Sequence, residues 1–399
     1  MRVLLSAYAC GPGVGSEPEI GLRTVLAAAT KHEVWVLTQP QMAEATRRWL
    51  AERDLASGVA VLGIGPDHPG DRHDGLKGLW RAHLANDRWQ RIAAHRAVEL
   101  DADIDFEVVH HVTLAAYWLR TGVSVLAKPL VWGPVGGGVD APWRLLTQIG
   151  GRGLLEESLR AVIRRTMARV PAVRRAPTRA AVVLAQNADT ARRLPQGTGS
   201  RVLSNALATD LPAAPMPRAR TKEVLVVGRL VPWKGHVLAL RAMRHTRTPG
   251  ALLHIIGDGL DRHRLVAAAE RLGVQDRVRF LGQMEQPDLF DRLSHAGVLL
   301  HPSLHEEAGC VVAEALALGT PLVCLERGGP SVLAREWPAE GSILVPATDW
   351  PEATARHLAD AVDTLLAAAP RVLNEIVRPR ISFSEAVLQA YEDAAAEAR

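Results

Sequence analysis

The chain has 399 residues, is 48% hydrophobic and 23% charged, and carries 33 Gly, 25 Pro and a formal net charge of +4. That length exceeds what one core supports and implies two or three domains, while the composition excludes both a disulfide-stapled miniprotein and a disordered tail. Domains of this size meet in clefts, where ligands are expected to sit.

The charge is uneven. Residues 1–205 hold 26 cations against 19 anions and the remainder 21 against 24, which favours two distinct domains. Five of the 47 cations are Lys, so each Lys stands out against an Arg-rich background. Cys10, Cys310 and Cys324 form no C-x-x-C pair and lie among apolar residues, as expected of reduced buried thiols in a cytoplasmic protein.

In chain order, the first apolar run, Val3 to Ala9, reads as a buried strand; it is too short for a secretory leader, and no run reaches the roughly 18 apolar residues of a membrane-spanning helix. The loop behind it, CGPGVGSE from Cys10 to Glu17, is Gly-rich. Its spacing of Gly11, Gly13 and Gly15 is not G-x-G-x-x-G, and the next strand, Val34 to Thr38, lacks the terminal acid that would hold a ribose, so a nicotinamide dehydrogenase is disfavoured. A flexible loop facing a cleft fits better, carrying Gly13, Gly15, Ser16 and Glu17.

Strands follow at Val59 to Ile64 and Val108 to His111. The DADID run, Asp101 to Asp105, precedes a strand instead of following it and reads as a solvated loop. His110 and His111 end their strand on opposite faces, so at most one reaches a cleft, where it would bond a sugar or assist proton transfer. The next strand, Pro129 to Trp132, runs into WGPVGGG, whose Gly136 and Gly137 either line the same cleft or form a plain tight turn.

Residues 151–180 contain eight Arg against Glu156 and Glu157. Leu155, Leu159, Val162, Ile163, Met167 and Val170 share one side of a helical wheel, with Arg160, Arg164, Arg165 and Arg169 on the rest, and Pro171 ends the helix. Read one way, this segment docks on an anionic membrane; read the other, it packs on its own domain with a solvated Arg face. Nucleic acid is disfavoured, because no aromatic residue is interleaved with these Arg.

After a strand at Val182 to Ala185 comes LPAAPMPRAR, Leu211 to Arg220, read as a linker. Beyond it the same βα rhythm repeats, with strands at Val224 to Val227, Leu252 to Ile256, Val278 to Leu281, Val298 to His301, Pro321 to Cys324 and Ser342 to Val345. The reading is α/β: two doubly wound Rossmann-like domains facing a central cleft, residues 1–205 and 206–380. A terminal helix, residues 381–399, crosses back to the first domain, with Phe383, Val387, Tyr391 and Ala395 on one stripe.

Two clusters in the second half carry chemistry. In VLVVGRLVPWKGH, Arg229 and Lys234 follow a strand end at Gly228, where two cations can neutralise a pyrophosphate without a metal. In HPSLHEEAGCVVAEALALGTPLVC, a strand ends at His301, Gly309 permits a tight approach, and a helix opens at Cys310 whose N-terminus suits phosphate. Glu306 in that loop and Glu314 in the helix can accept bonds from sugar hydroxyls. Pro302 and Ser303 deny His301 and His305 the helical spacing of a zinc pair.

These motifs, GRLVPWKGH, GDG, RFLG and the E-x7-E of Glu306 and Glu314 followed by ALALGTPLV, resemble the retaining GT-B glycosyltransferases of family 4, and SAYACGPGVGSEPEIG, HHVT and WGPVGGG resemble one branch of it. The resemblance implies a metal-independent hexosyltransferase, with no cofactor, that uses a nucleoside diphosphate sugar, most often a UDP-sugar, and a glycan, lipid-linked or natural-product acceptor. It implies that Arg229 and Lys234 bind the diphosphate, with Gly228, Gly257 and Asp258 alongside; that Glu306 with Ala308, Gly309, Cys310 and Val311 holds the sugar; that Glu314 bonds the ribose; and that Phe280, Leu281 and Gly282 flank the base. A His of the HHVT strand would meet the donor sugar. Glu307 and Ala308 stand where the family carries Gly and Phe. A nucleotide-sugar epimerase and a non-catalytic nucleotide-sugar-binding protein are the alternatives. The location implied is cytoplasmic, free or peripheral at the inner membrane face.

Overall fold

The computed structural model describes residues 1–13, 16–67, 75–208, 220–337, 341–347, 349–368 and 378–397, apart from the side chains of Ser16, residues 75–80 and Arg152. Gly15 and all but the last residue of the expected linker, 211–219, lie outside the described residues. Contacts divide the chain into two units: Met1–Gly138 with Ala161–Thr209 and Ile381–Arg399, and Val139–Arg160 with Asp210–Arg380.

In the first unit, strands β1 (Arg2–Ala7), β2 (Glu33–Thr38), β3 (Val59–Gly63), β4 (Val108–Thr113), β5 (Leu130–Val135), β6 (Ala180–Ala185) and β7 (Ser200–Val202) form one parallel sheet, ordered β3-β2-β1-β4-β5-β6-β7. Strand order reverses between β1 and β4, which is where doubly wound sheets open a ligand crevice. Side chains alternate across the sheet: Val3 and Leu5 join one apolar layer, Leu4 the other. Helices α1 (Ser16–Ala29), α2 (Pro40–Ala51), α3 (Gly75–Ile104), α4 (Gly150–Met167), α5 (Pro171–Arg179) and α6 (Ala188–Ala191) complete this part of the chain, with α4 crossing the boundary between units. Trp89 and Trp132 are fully buried, and the Trp89 indole donates to Ile64 O at 3.0 Å.

The second unit has β8 (Glu223–Val227), β9 (Leu252–Ile256), β10 (Val278–Gly282), β11 (Val298–His301), β12 (Leu322–Leu325) and β13 (Ser342–Val345) in a parallel sheet ordered β10-β9-β8-β11-β12-β13. Its helices are α7 (His236–His245), α8 (Arg262–Arg271), α9 (Gln286–His295), α10 (Cys310–Ala317), α11 (Gly328–Glu336) and α12 (Pro351–Ala367). Leu145 and Ile149 are buried in this unit's core, which is why residues 139–160 group here while the sequence reading assigns them to the first domain. The last helix, α13 (Phe383–Glu397), buries Phe383, Val387, Ala390, Tyr391 and Ala394 in the first unit's core beside Val108, Val131 and Leu184, so the chain crosses back.

Three local readings are corrected. Asp101 to Ile104 close α3 instead of forming a loop, because Asp101 Oδ1 accepts from Phe106 N at 2.9 Å and finishes the helix. The edge strand β7, too short and polar to signal itself, is absent from the sequence reading. Pro171 opens α5 instead of ending α4, taking the first-turn position where its missing N–H costs nothing.

On α4 the reading in which the apolar face packs on its own domain fails at two positions. Leu155 and Val162 are 64% and 58% exposed, whereas Glu157 and Arg164 are 3% and 5% exposed. Specific pairing of the buried carboxylate, given below, outweighs the area that burying two aliphatic side chains would remove from water.

Candidate functional site

The second unit's sheet reverses strand order between β8 and β11, and the loops after β8, β9 and β10 stack in series at their carboxyl ends. Gly228 N donates to Ile256 O at 2.9 Å, Leu230 N to Asp258 O at 2.9 Å, and Gly257 N to Gly282 O at 2.7 Å. Gly257 has φ of 130°, and a Cβ there would lie 2.1 Å from Gly228 O, so the stacking requires glycine. Asp258 is exposed and caps Gly259 N at 2.8 Å. Phe280 is half-buried with the Arg262 guanidinium 5.6 Å above its ring, and Leu281 is exposed.

The loop after β8 carries exposed Arg229 and then Lys234, and the loop after β11 carries Glu306. Gly235, at φ of 73°, lets the β8 loop reach the other: a Cβ there would meet Pro302 O at 2.0 Å. The Lys234 ammonium donates to Glu306 Oε2, and His301 Nε2 lies 3.3 Å from the same oxygen. Burial opposes ionisation of Glu306, but His301 and Lys234 together outweigh it and hold the carboxyl well below the ordinary range. The loop continues through Ala308 to Gly309, which caps α10 in a left-handed conformation, and the helix starts at Cys310 and Val311 with its positive dipole end beside the pair. Glu314, one turn on, is buried; burial raises its carboxyl and a Gln286 side-chain hydrogen bond partly offsets that.

Glu307, the departure from the family pattern, has a structural account. Its Oε1 accepts from Val139 N at 3.0 Å and lies 3.7 Å from His305 Nε2, while His305 Nδ1 lies 3.5 Å from Glu157 Oε2 on α4. Arg160 donates to Glu157 Oε1 at 2.8 Å and sits 4.2 Å above the Trp233 ring. Burial alone would keep His305 neutral, but the Glu157 and Glu307 carboxylates reverse that and raise its pKa. Sequence reasoning misses Glu157, Arg160 and His305 as partners, because nothing local links the basic helix to a loop some 150 positions later.

In the first unit, His110 and His111 are both fully buried and face opposite sides of β4. His110 has both ring nitrogens engaged, Nδ1 with Tyr391 Oη at 2.8 Å and Nε2 with Gly133 O at 2.7 Å, and burial pushes its pKa down to about 4. His111 has Nδ1 3.4 Å from Ser6 Oγ, and its buried Nε2 has no hydrogen-bond partner. Burial, then the neighbouring His110, pushes its pKa down to about 3. Glu17, at the start of α1, accepts from Leu114 N and so holds that residue at a left-handed φ of 51°; burial raises its carboxyl. Gly13 is exposed on the loop before α1, which opens at Ser16. Gly136 N donates to Ala115 O at 2.8 Å, and Gly137 leaves space for the Trp118 indole.

Residues 211–369 match the family described as glycosyl transferases group 1. Lipopolysaccharide core biosynthesis glycosyltransferase LpsE of Rhizobium meliloti is 34% identical over 172 residues, 43% of this chain and 45% of that protein. D-inositol 3-phosphate glycosyltransferase of Acidothermus cellulolyticus is 34% identical over 196 residues, 44% of this chain and 42% of that protein. The chain thus spans less than half the length of these curated relatives. Among solved structures, the apo form of the lipopolysaccharide outer core galactosyltransferase WaaB superposes with a TM-score of 0.60 at 15% identity, covering 100% of both chains. Anabaena Alr3699/HepE in complex with UDP and glucose superposes with a TM-score of 0.52 at 18% identity, covering 100% of this chain and 94% of that one. At such identities the likeness speaks for the fold. Two parallel Rossmann-like sheets give the chain the GT-B fold, and residues 211–369 of its second unit match the glycosyl transferases group 1 family.

Proposed function

We propose that the protein is a glycosyltransferase that moves a hexosyl group from a nucleoside diphosphate sugar to an acceptor, with retention of anomeric configuration. The observation that carries this reading is the Lys234–Glu306 pair, set across the strand-order reversal of the second unit and beside the N-terminus of α10. An ion pair at that place has little structural purpose, since a partly buried pair gains little net stability; a diphosphate gives Lys234 a second anionic partner and leaves Glu306, still beside His301, to accept from sugar hydroxyls.

Arg229, Lys234 and the α10 dipole stabilise the negative charge that develops on the leaving diphosphate. In a front-face displacement the C1–O bond to the β-phosphate breaks, the acceptor oxygen bonds C1 on the same face, and its proton passes to the departing phosphate oxygen. Gly228, Gly257 and Asp258 line the diphosphate and Phe280, Leu281 and Gly282 the base; Glu314 meets the ribose. Of the two histidines, His111 is the one with a nitrogen left to offer. Gly13, Ser16, Glu17, Gly136 and Gly137 serve the acceptor. UDP is the donor nucleotide we favour, as in the HepE complex with UDP-glucose.

No helix among the described residues is long and apolar enough to cross a membrane. Residues 151–180 nevertheless suit a peripheral role: Leu154, Leu155 and Val162 are exposed, as are Arg165, Arg169, Arg174, Arg175 and Arg179, and no acid occurs between 158 and 188. That combination fits an anionic lipid surface carrying the acceptor.

The test is incubation with UDP-, GDP- and ADP-sugars, followed by product analysis. Slow donor hydrolysis without acceptor, and transfer with it, is the expected result. Interconversion of the donor sugar would indicate an epimerase, and binding of donors without any turnover a binding protein.

A further inference from the structure

We propose that Arg262 is a specificity-determining residue for the donor's base: its guanidinium, seated on the Phe280 ring, offers N–H donors to a base that presents carbonyl oxygens, and so disfavours adenine. This deepens the reading of Lys234, Glu306 and Glu314 as donor groups and rests on it.

The place follows from the sheet. Gln286, the first residue of α9, hydrogen-bonds Glu314, so the loop that leaves β10 and enters α9 borders the ribose position. That loop starts at Gly282, whose carbonyl accepts from Gly257 N at 2.7 Å in the loop after β9. Strand β10 is two places from β8, about 10 Å along the sheet edge, a span that a ribose and a base cover from a diphosphate held at the β8 loop. Arg262 rises from the β9 loop where it enters α8, and the backbone there is fixed. Asp261 N donates to Leu230 O at 3.0 Å and Arg262 N to Gly259 O at 3.2 Å, while the buried Asp261 carboxylate accepts from Arg264.

The side chain of Arg262 is half-buried, with its guanidinium 5.6 Å from the centre of the Phe280 ring, and that ring packs against the core of the unit. Nearby arginines spend their N–H groups inside the protein: Arg264, Arg277 and Arg279 each donate to main-chain carbonyls. Among the described residues the Arg262 side chain has no hydrogen bond or ion pair. The cation on the ring, and not the ring itself, is therefore the surface a base meets. A guanidinium plane accepts a stacked base and carries donors without any acceptor. Guanine presents O6 and N7 to such a fork and a uracil presents O4, whereas adenine presents an amino donor beside N7, so that donor faces donor. Leu260 and Leu281, at the same two strand ends, leave apolar surface in solvent beside it.

The experiment is calorimetric titration of the intact protein with UDP, GDP and ADP, repeated in Arg262→Met and Arg262→Lys. In the unaltered protein ADP is expected to bind at least about tenfold more weakly than the tighter of UDP and GDP, the discrimination of one good base contact. In Arg262→Met the tighter nucleotide should weaken by about tenfold while ADP changes by less than about twofold, so that the ratio of the two Kd values falls close to one. Arg262→Lys keeps the charge but loses the planar fork, and its ratio should stay low. A merely structural role would weaken all three nucleotides alike and leave the ratio as it was. Equal binding of the three by the unaltered protein, a ratio preserved in Arg262→Met, or a ratio restored in Arg262→Lys overturns the proposal. The donor-site reading is separated by Lys234→Ala, which should weaken all three by a common factor. Where that loss is seen and the Arg262 variants leave the ratio alone, only this inference falls; where no nucleotide binds the unaltered protein, the donor-site reading falls and takes it along.

Discussion

Lys234 and Glu306 lie 72 positions apart, yet the ammonium of one donates directly to the carboxylate of the other, with both side chains largely withdrawn from solvent. Each stands on a loop leaving the carboxyl end of a parallel strand, and those strands, β8 and β11, are neighbours in the sheet. Adjacent strands of a doubly wound sheet deliver their following loops to one place, and the reversal of strand order leaves a crevice there for the ligand.

Lys234→Ala and Glu306→Ala should each lower kcat/KM by at least about a hundredfold, roughly 2.7 kcal/mol of transition-state stabilisation, with circular dichroism unchanged. Steady-state kinetics with the preferred nucleotide sugar check this. Near-normal turnover in both variants would end the assignment of the site.

Gly257→Ala should weaken nucleotide binding severely. The added Cβ collides with Gly228 O and the φ of 130° is strained for any L side chain, so the loops after β8 and β9 must part. Calorimetry with UDP should show at least a tenfold loss, while Gly250→Ala, whose glycine also has positive φ but open space around it, should leave binding unaltered.

His110 should matter to folding more than to donor binding. Tyr391→Phe removes the hydroxyl from a buried bond, at a cost of about 1–2 kcal/mol and a few degrees of Tm. The pH dependence has a defined sign. The folded ring is held neutral down to about pH 4, so between 6.5 and 4 the unfolded chain binds more protons than the folded one, and stability is lost as pH falls through that window. His111 and His236, both pushed down to about 3 by burial, act in the same direction. Tm should therefore drop from pH 7 to pH 5, and less steeply in His110→Phe; a flat profile would contradict the assignment.

Co-sedimentation with vesicles should show preference for anionic over neutral lipid. Leu155→Ser with Val162→Ser should reduce binding several-fold without affecting stability, because both side chains are already in water. Equal partitioning onto neutral and anionic vesicles would remove the membrane role of α4.

Activity should persist within about twofold in EDTA, since Arg229, Lys234 and the α10 N-terminus supply the positive charge that a metal supplies elsewhere. A tenfold loss restored by Mg2+ would place a metal in the reaction.

Much of this protein is legible without coordinates. Short apolar runs alternating with helical stretches specify parallel sheets buried on both faces, because only strands covered by helices on both sides read as continuous hydrophobic segments. Twelve strands fall where their runs are, and the donor loops announce themselves through Gly at strand ends and through a Lys in a chain nearly devoid of them. β7 escapes because an edge strand of three residues, Ser200–Val202, needs no apolar run.

The orientation of α4 and the partners of His305 were not legible, and the reason is physical. A helical wheel weighs only apolar area and so groups Leu155 with Val162 without deciding whether that side packs or docks on a membrane; it carries no information on which distant charges could pair. Three-dimensional structure brought Arg160 and His305 to Glu157, with Trp233 against the Arg160 guanidinium, and a buried carboxylate with such partners turns the helix, leaving the aliphatic side chains outside. Likewise, sequence alternation put His110 and His111 on opposite faces, but only the return of α13 decided which one would be spent on packing, by setting Tyr391 against His110. Local pattern determined the sheets and the loops that carry the chemistry; long-range pairing of buried polar groups, which no local pattern encodes, decided which side chains are left to act.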